Sequence, residues 1–348
     1  MSPFILSLFL LSLGLGTTIT FSSSHWLLAW MGLEINTLAI MPLMAQRPHP
    51  RAVEATTKYF LTQATAAAMI LFASATNAWV TGEWNIMNMS SPLSATMAIM
   101  ALSLKLGLAP VHFWLPEVLQ GLDLTTGLIL STWQKLAPFI LLVQMSPPNN
   151  DLLIILALLS ILVGGWGGLN QLQIRKILAY SSIAHLGWML LVCQFSPPLS
   201  LLALFTYILM TTPAFLLLKF TSSLTINSLA SAWTKSTVLV ATAPFILFSL
   251  GGLPPLSGFA PKWLILQELT KQDMPIIATM AAMMALLSLY FYLRVSYAAA
   301  LTMAPNTPPA SAPWRPSPTQ SSLVLSLTTI SSLFMLPLMP TALTLFCL

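Results

Sequence analysis

Lys105, Lys135 and Lys262 each stand in or beside a long apolar run, and Glu34 stands in a fourth. Only 6% of the 348 residues are charged, so these four are not ordinary surface charge. A charged side chain at the bilayer centre costs at least ~2.5–3.5 kcal/mol even on the lenient insertion scale, and such residues usually face a bundle interior or a wet cavity on an ion or proton path. Burial disfavours an ammonium, and a nearby carboxylate favours it again. A lysine held between those influences can gain or lose a proton at neutral pH when its neighbour moves or changes charge. Glu34 lies about 15 Å into its run at 1.5 Å per residue, near the membrane middle. One glutamate and three lysines on four helices could therefore form a lateral proton relay. The inert alternatives are snorkelling for Lys105 and Lys135, an interfacial seat for Lys262, and a structural ion pair for Glu34.

His112 follows the Pro110 break directly, and His185 sits in YSSIAHLGW at 180–188. A histidine titrating near its reference value of about 6.5 is a natural proton carrier. The alternative for each is a hydrogen-bonded packing residue. Glu117 and Asp123 read as interfacial caps. Cys193 and Cys347 lie in apolar runs with no CxxC, HxC or CxH spacing, so they read as small buried hydrophobes rather than ligands of an iron–sulfur cluster or haem. No His/Cys/carboxylate cluster has metal spacing, no glycine-rich loop follows a strand, and no Ser–His–Asp set is credible. Chemistry on a substrate is not indicated.

The elements that must position these groups are membrane helices. The chain is 57% hydrophobic with a mean hydropathy of +0.84, which excludes a soluble globular or disordered class. One polytopic domain over 1–348 fits better than several, because no polar stretch could build a water-facing core. The net charge of +5 does not point to nucleic acid, since the basic residues lie in short loops or inside runs. About eleven apolar runs recur, at 3–21, 25–46, 58–80, 95–121, 123–146, 151–171, 176–195, 199–221, 238–270, 275–300 and 321–346. Lipid supplies no partner to an open strand edge, so all should be helices in an all-α bundle. No Lys or Arg precedes Arg47, so the first run reads as a retained span rather than a signal or transit peptide.

Two runs, 95–121 and 238–270, are too long for one straight span, and Gly and Pro break both. They read LSLKLGLAPVHFWLPE and FSLGGLPPLSGFAPKW. Paired breaks of this kind in the two halves of a transporter mark its working site; two independent kinks would look the same. Arg47, Arg51, Lys58, Arg175, Lys176, Lys219, Lys235, Arg294 and Arg315 fall on one side if eleven spans alternate, which puts the N-terminus inside and the C-terminus outside. The 303–320 stretch is a Pro-rich loop. Asn88 begins a chance-level glycosylation sequon, and Gly164–Gly168 in ILVGGWGGL suits close helix packing.

MGLEINTLAIMPL (31–43), KLGLAPVHFWLPEVLQGL (105–122), STWQKLAPF (131–139), IRKILAYSSIAHLGWM (174–189) and GGLPPLSGFAPKW (251–263) together resemble the NADH dehydrogenase subunit 2 family. Its members are mitochondrially encoded, antiporter-like subunits of respiratory complex I, and this chain is similar to vertebrate ones. The resemblance runs in order through essentially the whole chain. It implies two inverted helical repeats, each with one broken helix, and a proton relay. The family's glutamate maps onto Glu34, its broken-helix lysine onto Lys105, its central lysine onto Lys135, its distal lysine onto Lys262 and its histidine onto His185. It implies that NADH, FMN, iron–sulfur clusters and ubiquinone are bound by other subunits, with no cofactor in this chain. The partners it implies are other membrane-arm subunits, including neighbouring antiporter-like ones, and lipids such as cardiolipin. The location would be the mitochondrial inner membrane, N-terminus to the matrix and C-terminus to the intermembrane space. Bacterial relatives carry three more helices ahead of the first run here, which leaves open what packs beside runs one to three. A stand-alone cation/proton antiporter and a non-pumping structural subunit are the alternatives.

Overall fold

The computed structural model describes residues 3–46, 49–145, 150–234, 237–300 and 323–347. An apolar chain without water must satisfy its backbone amides and carbonyls internally. Among the described residues it does so in fifteen α-helices, with two isolated antiparallel bridges, His25 to Asn85 and Gln173 to Thr225, between loops. The chain divides into two compact units, Met1–Leu159 and Ser160–Leu348.

The first unit holds α1 (Pro3–Ser22), α2 (Trp26–Met44), α3 (Pro50–Thr81), α4 (Pro92–Leu106), α5 (Trp114–Gly121) and α6 (Leu124–Gln144). Here α1 packs on α2, α3 on α2 and α4, and α6 on α1, α2 and α4. A Cβ on Gly16 would approach the Gly32 carbonyl to 2.8 Å, and one on Gly32 the Gly16 carbonyl to 2.8 Å. Two glycines thus let α1 and α2 cross backbone to backbone. At about 48 Å, α3 is longer than a bilayer's hydrocarbon core. Its first turns carry Arg51, Glu54 and Lys58.

The boundary between the units falls within α7 (Asn150–Gly168). The second unit continues with α8 (Ile174–Cys193), α9 (Pro197–Thr221), α10 (Ile226–Ala230), α11 (Thr237–Gly251), α12 (Phe259–Lys271), α13 (Pro275–Ala300), α14 (Leu323–Phe334) and α15 (Met339–Cys347). α8 is buried almost throughout, and α9 packs on α8, α11, α12, α14 and α15. The glycines of ILVGGWGGL serve two neighbours. A Cβ on Gly164 would sit 2.7 Å from the Ala184 amide in α8, and one on Gly168 would sit 2.7 Å from the Phe291 ring in α13.

Both broken runs are real breaks, one in each unit. At the end of α4, Gly107 takes φ +80, with its amide 3.2 Å from the Leu104 carbonyl and the Leu108 amide 2.9 Å from the Ser103 carbonyl. At the end of α11, Gly252 takes φ +78, with its amide 3.1 Å from the Ser249 carbonyl and the Leu253 amide 3.2 Å from the Phe248 carbonyl. Both are Schellman caps, in which glycine takes the left-handed position without a Cβ penalty. Each is followed by a cis Xaa–Pro bond, Ala109–Pro110 or Pro254–Pro255.

Among the described residues, eight helices (α1, α2, α3, α6, α7, α8, α9 and α13) are long and apolar enough to cross a membrane. α4 and α11 are shorter apolar helices that end at the breaks. The run expected at 321–346 is not one straight span: α14 and α15 are bent by 68°. Pro337 lies at that bend and cannot donate to the carbonyl four residues back. The Ser257 hydroxyl, from the second break, donates to the Ser332 carbonyl near the end of α14. The Pro-rich loop at 303–320 and Arg47, Lys235 and Arg315 lie outside the described residues.

Candidate functional site

In the first unit, a Gly/Pro break, a long neighbouring helix and a proline-bearing helix bring polar groups together. Lys105 is in the last turn of α4, 6% exposed, and its Nζ has no hydrogen-bond partner among the described residues. Lys135, 2% exposed, lies near the middle of α6, three residues before Pro138. Both line one cavity of about 20 Å³ with Asn36 and Thr37 of α2, Tyr59 and Gln63 of α3, and Gln134. Trp114, at the start of α5, closes the α4 side, its indole N–H donating to the Leu104 carbonyl at 3.0 Å.

Glu34 stands one residue beyond this lining and is partly buried. Its carboxylate accepts from the Thr37 hydroxyl at 3.2 Å and acts electrostatically on both Lys105 and Tyr59. Among the described residues it makes no direct ion pair with Lys105, so the two groups interact across a gap. One further bond ties α2 to the helix of Lys135: Gln134 Nε2 donates to the Asn36 carbonyl at 3.2 Å. Glu34, the cavity and α6 are therefore joined through residues 34–37.

His112 is 4% exposed in the first break, its ring 4.4 Å from that of Phe113. It does not line the lysine cavity. Glu117 in α5 is exposed and meets Lys58 at 2.7 Å, where Lys58 also meets Glu54 at 2.7 Å.

In the second unit, Lys262 and His185 line a smaller cavity, about 10 Å³, with Trp188, Thr206 and Met210. His185 is 8% exposed, its ring 5.5 Å from that of Tyr207. Lys262, in the first turn of α12, reaches back over the break and donates to the Gly251 carbonyl at 2.6 Å. That carbonyl is one of those left without an amide partner where α11 stops. The room for the lysine comes from Gly252: a Cβ there would sit 2.8 Å from Lys262 Cδ and 3.0 Å from Nζ. At Gly258 a Cβ would fall onto the Ser249 carbonyl oxygen, so the restart needs glycine too.

The structure thus groups Lys105 with Lys135, with Glu34 acting from beside them, and groups Lys262 with His185. Sequence reasoning passed over Asn36, Tyr59, Gln63 and Gln134. A signal was present for two of them, because Tyr59 and Gln63 fall four apart, and polar residues so spaced in an apolar helix share one face. Cys193, read as a small buried hydrophobe, is 3% exposed.

The model of the family described as NADH:quinone oxidoreductase/Mrp antiporter, transmembrane, matches residues 23–288, and that of NADH dehydrogenase subunit 2 C-terminus matches 289–343. The NADH-ubiquinone oxidoreductase chain 2 of Salmo salar is 69% identical over 349 residues, covering 100% of both chains. Among solved structures, a chain of respiratory complex I from Thermus thermophilus with bound aureothin is similar with a TM-score of 0.87 and 30% identity, over 99% of this chain and 80% of that one. A chain of the Mrp complex from Dietzia sp. shares the fold, with a TM-score of 0.71 and 18% identity over 83% and 59%.

Proposed function

The chain belongs to the NADH-ubiquinone oxidoreductase chain 2 family, and from that premise we propose that its buried lysines carry protons. It is an antiporter-like membrane subunit of complex I and works as an enzyme only as part of that assembly. The observation that carries the relay reading is the shared cavity of Lys105 and Lys135, with the Glu34 carboxylate acting electrostatically on Lys105.

In this reading, Glu34 sets how readily Lys105 holds its proton. Lys105 exchanges protons with Lys135 through the cavity they share. In the second unit, Lys262 is the exit-side group, with His185 beside it as a carrier, and His112 serves the first break. NADH, flavin, iron–sulfur clusters and ubiquinone belong to other subunits. The chain itself contributes proton-holding side chains and the helices that keep them from lipid. We place it in the mitochondrial inner membrane, N-terminus to the matrix, beside other antiporter-like subunits and lipids such as cardiolipin.

The test is proton uptake against NADH oxidation in proteoliposomes holding complex I with Lys105→Met, assembly being checked on a native gel. A lowered proton-to-electron ratio in an intact complex is expected. A normal ratio would remove Lys105 from the path.

A further inference from the structure

The seat of Lys262 depends on where α12 restarts. Its Nζ donates to the Gly251 carbonyl at 2.6 Å, and a Cβ on Gly252 would stand only 2.8 Å from its side chain, so the fit has little slack. A broken helix loses the ladder of backbone bonds that would tie its two halves together. Something outside the break must therefore fix the first turn of α12.

Two contacts to that turn come from the C-terminal helices. The hydroxyl of buried Ser257, just before Gly258, donates to the carbonyl of buried Ser332 in α14. Ala260, in the first turn of α12, lies in one buried cluster with Met339 and Ala342 of α15 and Leu202 of α9. Gly258, between the two contacts, lines the Lys262 cavity.

The bend is what lets one segment make both contacts. α14 ends at Phe334, so Ser332 lies in its last turn, where carbonyls have no amide ahead of them. A straight helix would carry Ala342 about 15 Å along the axis beyond Ser332. Ser257 and Ala260, three residues apart, span at most about 11 Å. The 68° bend draws α15 back within that reach.

We propose that the bent α14–α15 pair is a clamp that sets the seat of Lys262, with Ser257 and Ala260 as positioning residues. The proposal rests on the reading of Lys262 as the exit-side group and deepens it, by naming what holds that group in place. Neither residue gains or loses a proton. The Ser257 hydroxyl fixes the backbone just ahead of the restart. Ala260 and Lys262 are two residues apart, about 200° around a helix. The α15 cluster therefore bears on one side of α12, and the lysine faces its cavity from the other.

The experiment uses intact complex I carrying Ser257→Ala, the conservative Ser257→Thr, Met339→Ala or Lys262→Met. Ser326→Ala is the control, since that exposed hydroxyl of α14 donates to the Leu323 carbonyl of its own helix. Each is assayed for assembly on a native gel and for proton-to-electron ratio in proteoliposomes, and wild type and Ser257→Ala are imaged by cryo-electron microscopy. Expected for Ser257→Ala are a ratio lowered to that of Lys262→Met in an assembled complex and a Lys262 side chain displaced from the Gly251 carbonyl. Ser257→Thr, which keeps the hydroxyl, should restore the ratio, and Ser326→Ala should leave it normal. A lowered ratio for Lys262→Met with a normal one for Ser257→Ala would overturn the clamp and leave the relay standing. Normal ratios for both would remove both. A lowered ratio with Lys262 still on Gly251, or with no rescue by threonine, would also overturn the clamp. If Ser257→Ala fails to assemble, Met339→Ala and the wild-type map decide: a normal ratio, or a Ser257 hydroxyl out of reach of the Ser332 carbonyl, overturns the proposal.

Discussion

Gly252→Ala separates what Lys262 does from the backbone turn on which it leans. Gly252 sits at φ +78, where an L-residue costs roughly 1–2 kcal/mol. The added Cβ would lie 2.8 Å from Lys262 Cδ and 3.0 Å from Nζ. The flexible end of the lysine gives way before the backbone does, so its 2.6 Å bond to the Gly251 carbonyl is lost. A hydrogen bond to a charged group contributes about 1.5–3 kcal/mol, which brings the whole effect to roughly 2.5–5 kcal/mol. Gly82→Ala is the control: Gly82 has φ +77, and a Cβ there meets nothing within 4 Å. It carries the turn strain without touching a lysine. The assay is thermal inactivation of electron transfer in purified complex I, with proton-to-electron ratios measured alongside. Both variants should inactivate at lower temperature, Gly252→Ala at the lower of the two, and only Gly252→Ala should lose pumping. Equal temperature shifts with two normal ratios would refute the claim that the lysine depends on its seat at the end of α11.

Gly164→Ala should lower the yield of assembled complex, because its Cβ would meet the Ala184 backbone at 2.7 Å and push α7 off α8 at a cost of about 1–3 kcal/mol. Gly14→Ala in α1, where a Cβ meets nothing within 4 Å, should leave yield unchanged or slightly raised; native-gel quantification distinguishes the two. Cys193 is 3% exposed and should resist maleimide in the intact complex but label fully after denaturation, as read by mass spectrometry. Labelling in the native state would mean that α8 is more open than its packing indicates.

The helical architecture was legible because hydrophobicity is a long-range pattern, and apolar runs of spanning length have to become helices wherever lipid replaces water. The lysines stood out because charge is rare in such runs. The positions of the breaks were legible too, since Gly107 and Gly252 each precede prolines in runs too long for one span, although the same pattern fits a kink. Asn36 and Gln63 were not, because an uncharged amide in an apolar helix is cheap enough to draw no notice. Its meaning depends on which faces meet, and that is set by α3 packing between α2 and α4. The bend between α14 and α15 escaped for a related reason. Pro337 stands among leucines and methionines, and a proline in a long apolar run reads equally well as a mild kink. Near the bend the Ser332 carbonyl also accepts from the Ser257 hydroxyl, a contact 75 residues apart in sequence that no local pattern announces.

The two breaks solve one electrostatic problem from opposite sides. In register from Gly107 and Gly252, both show the same cap, the same cis proline and a restart at an aromatic residue, Trp114 or Phe259. The lysines, however, do not correspond. Lys105 precedes its glycine in the last turn of α4, whereas Lys262 follows the restart, where the first unit has Glu117. Yet both lysines stand at the C-terminal end of the helix before the break, Lys105 by its place in the last turn of α4 and Lys262 by its bond to Gly251. A helix C-terminus carries partial negative charge on its unpaired carbonyls and favours a cation. Glu117, with the wrong sign for such a site, turns instead to the surface and pairs with Lys58. Exchanging the sign at Lys262, as in Lys262→Glu, should therefore do more harm than removing it in Lys262→Met. The carboxylate would face the α11 carbonyls, whereas the methionine would leave only one unpaired. Assembly and pumping in the two variants measure this directly. If Lys262→Glu were the milder change, the end of α11 would not be what holds the lysine, and its bond to Gly251 would be incidental.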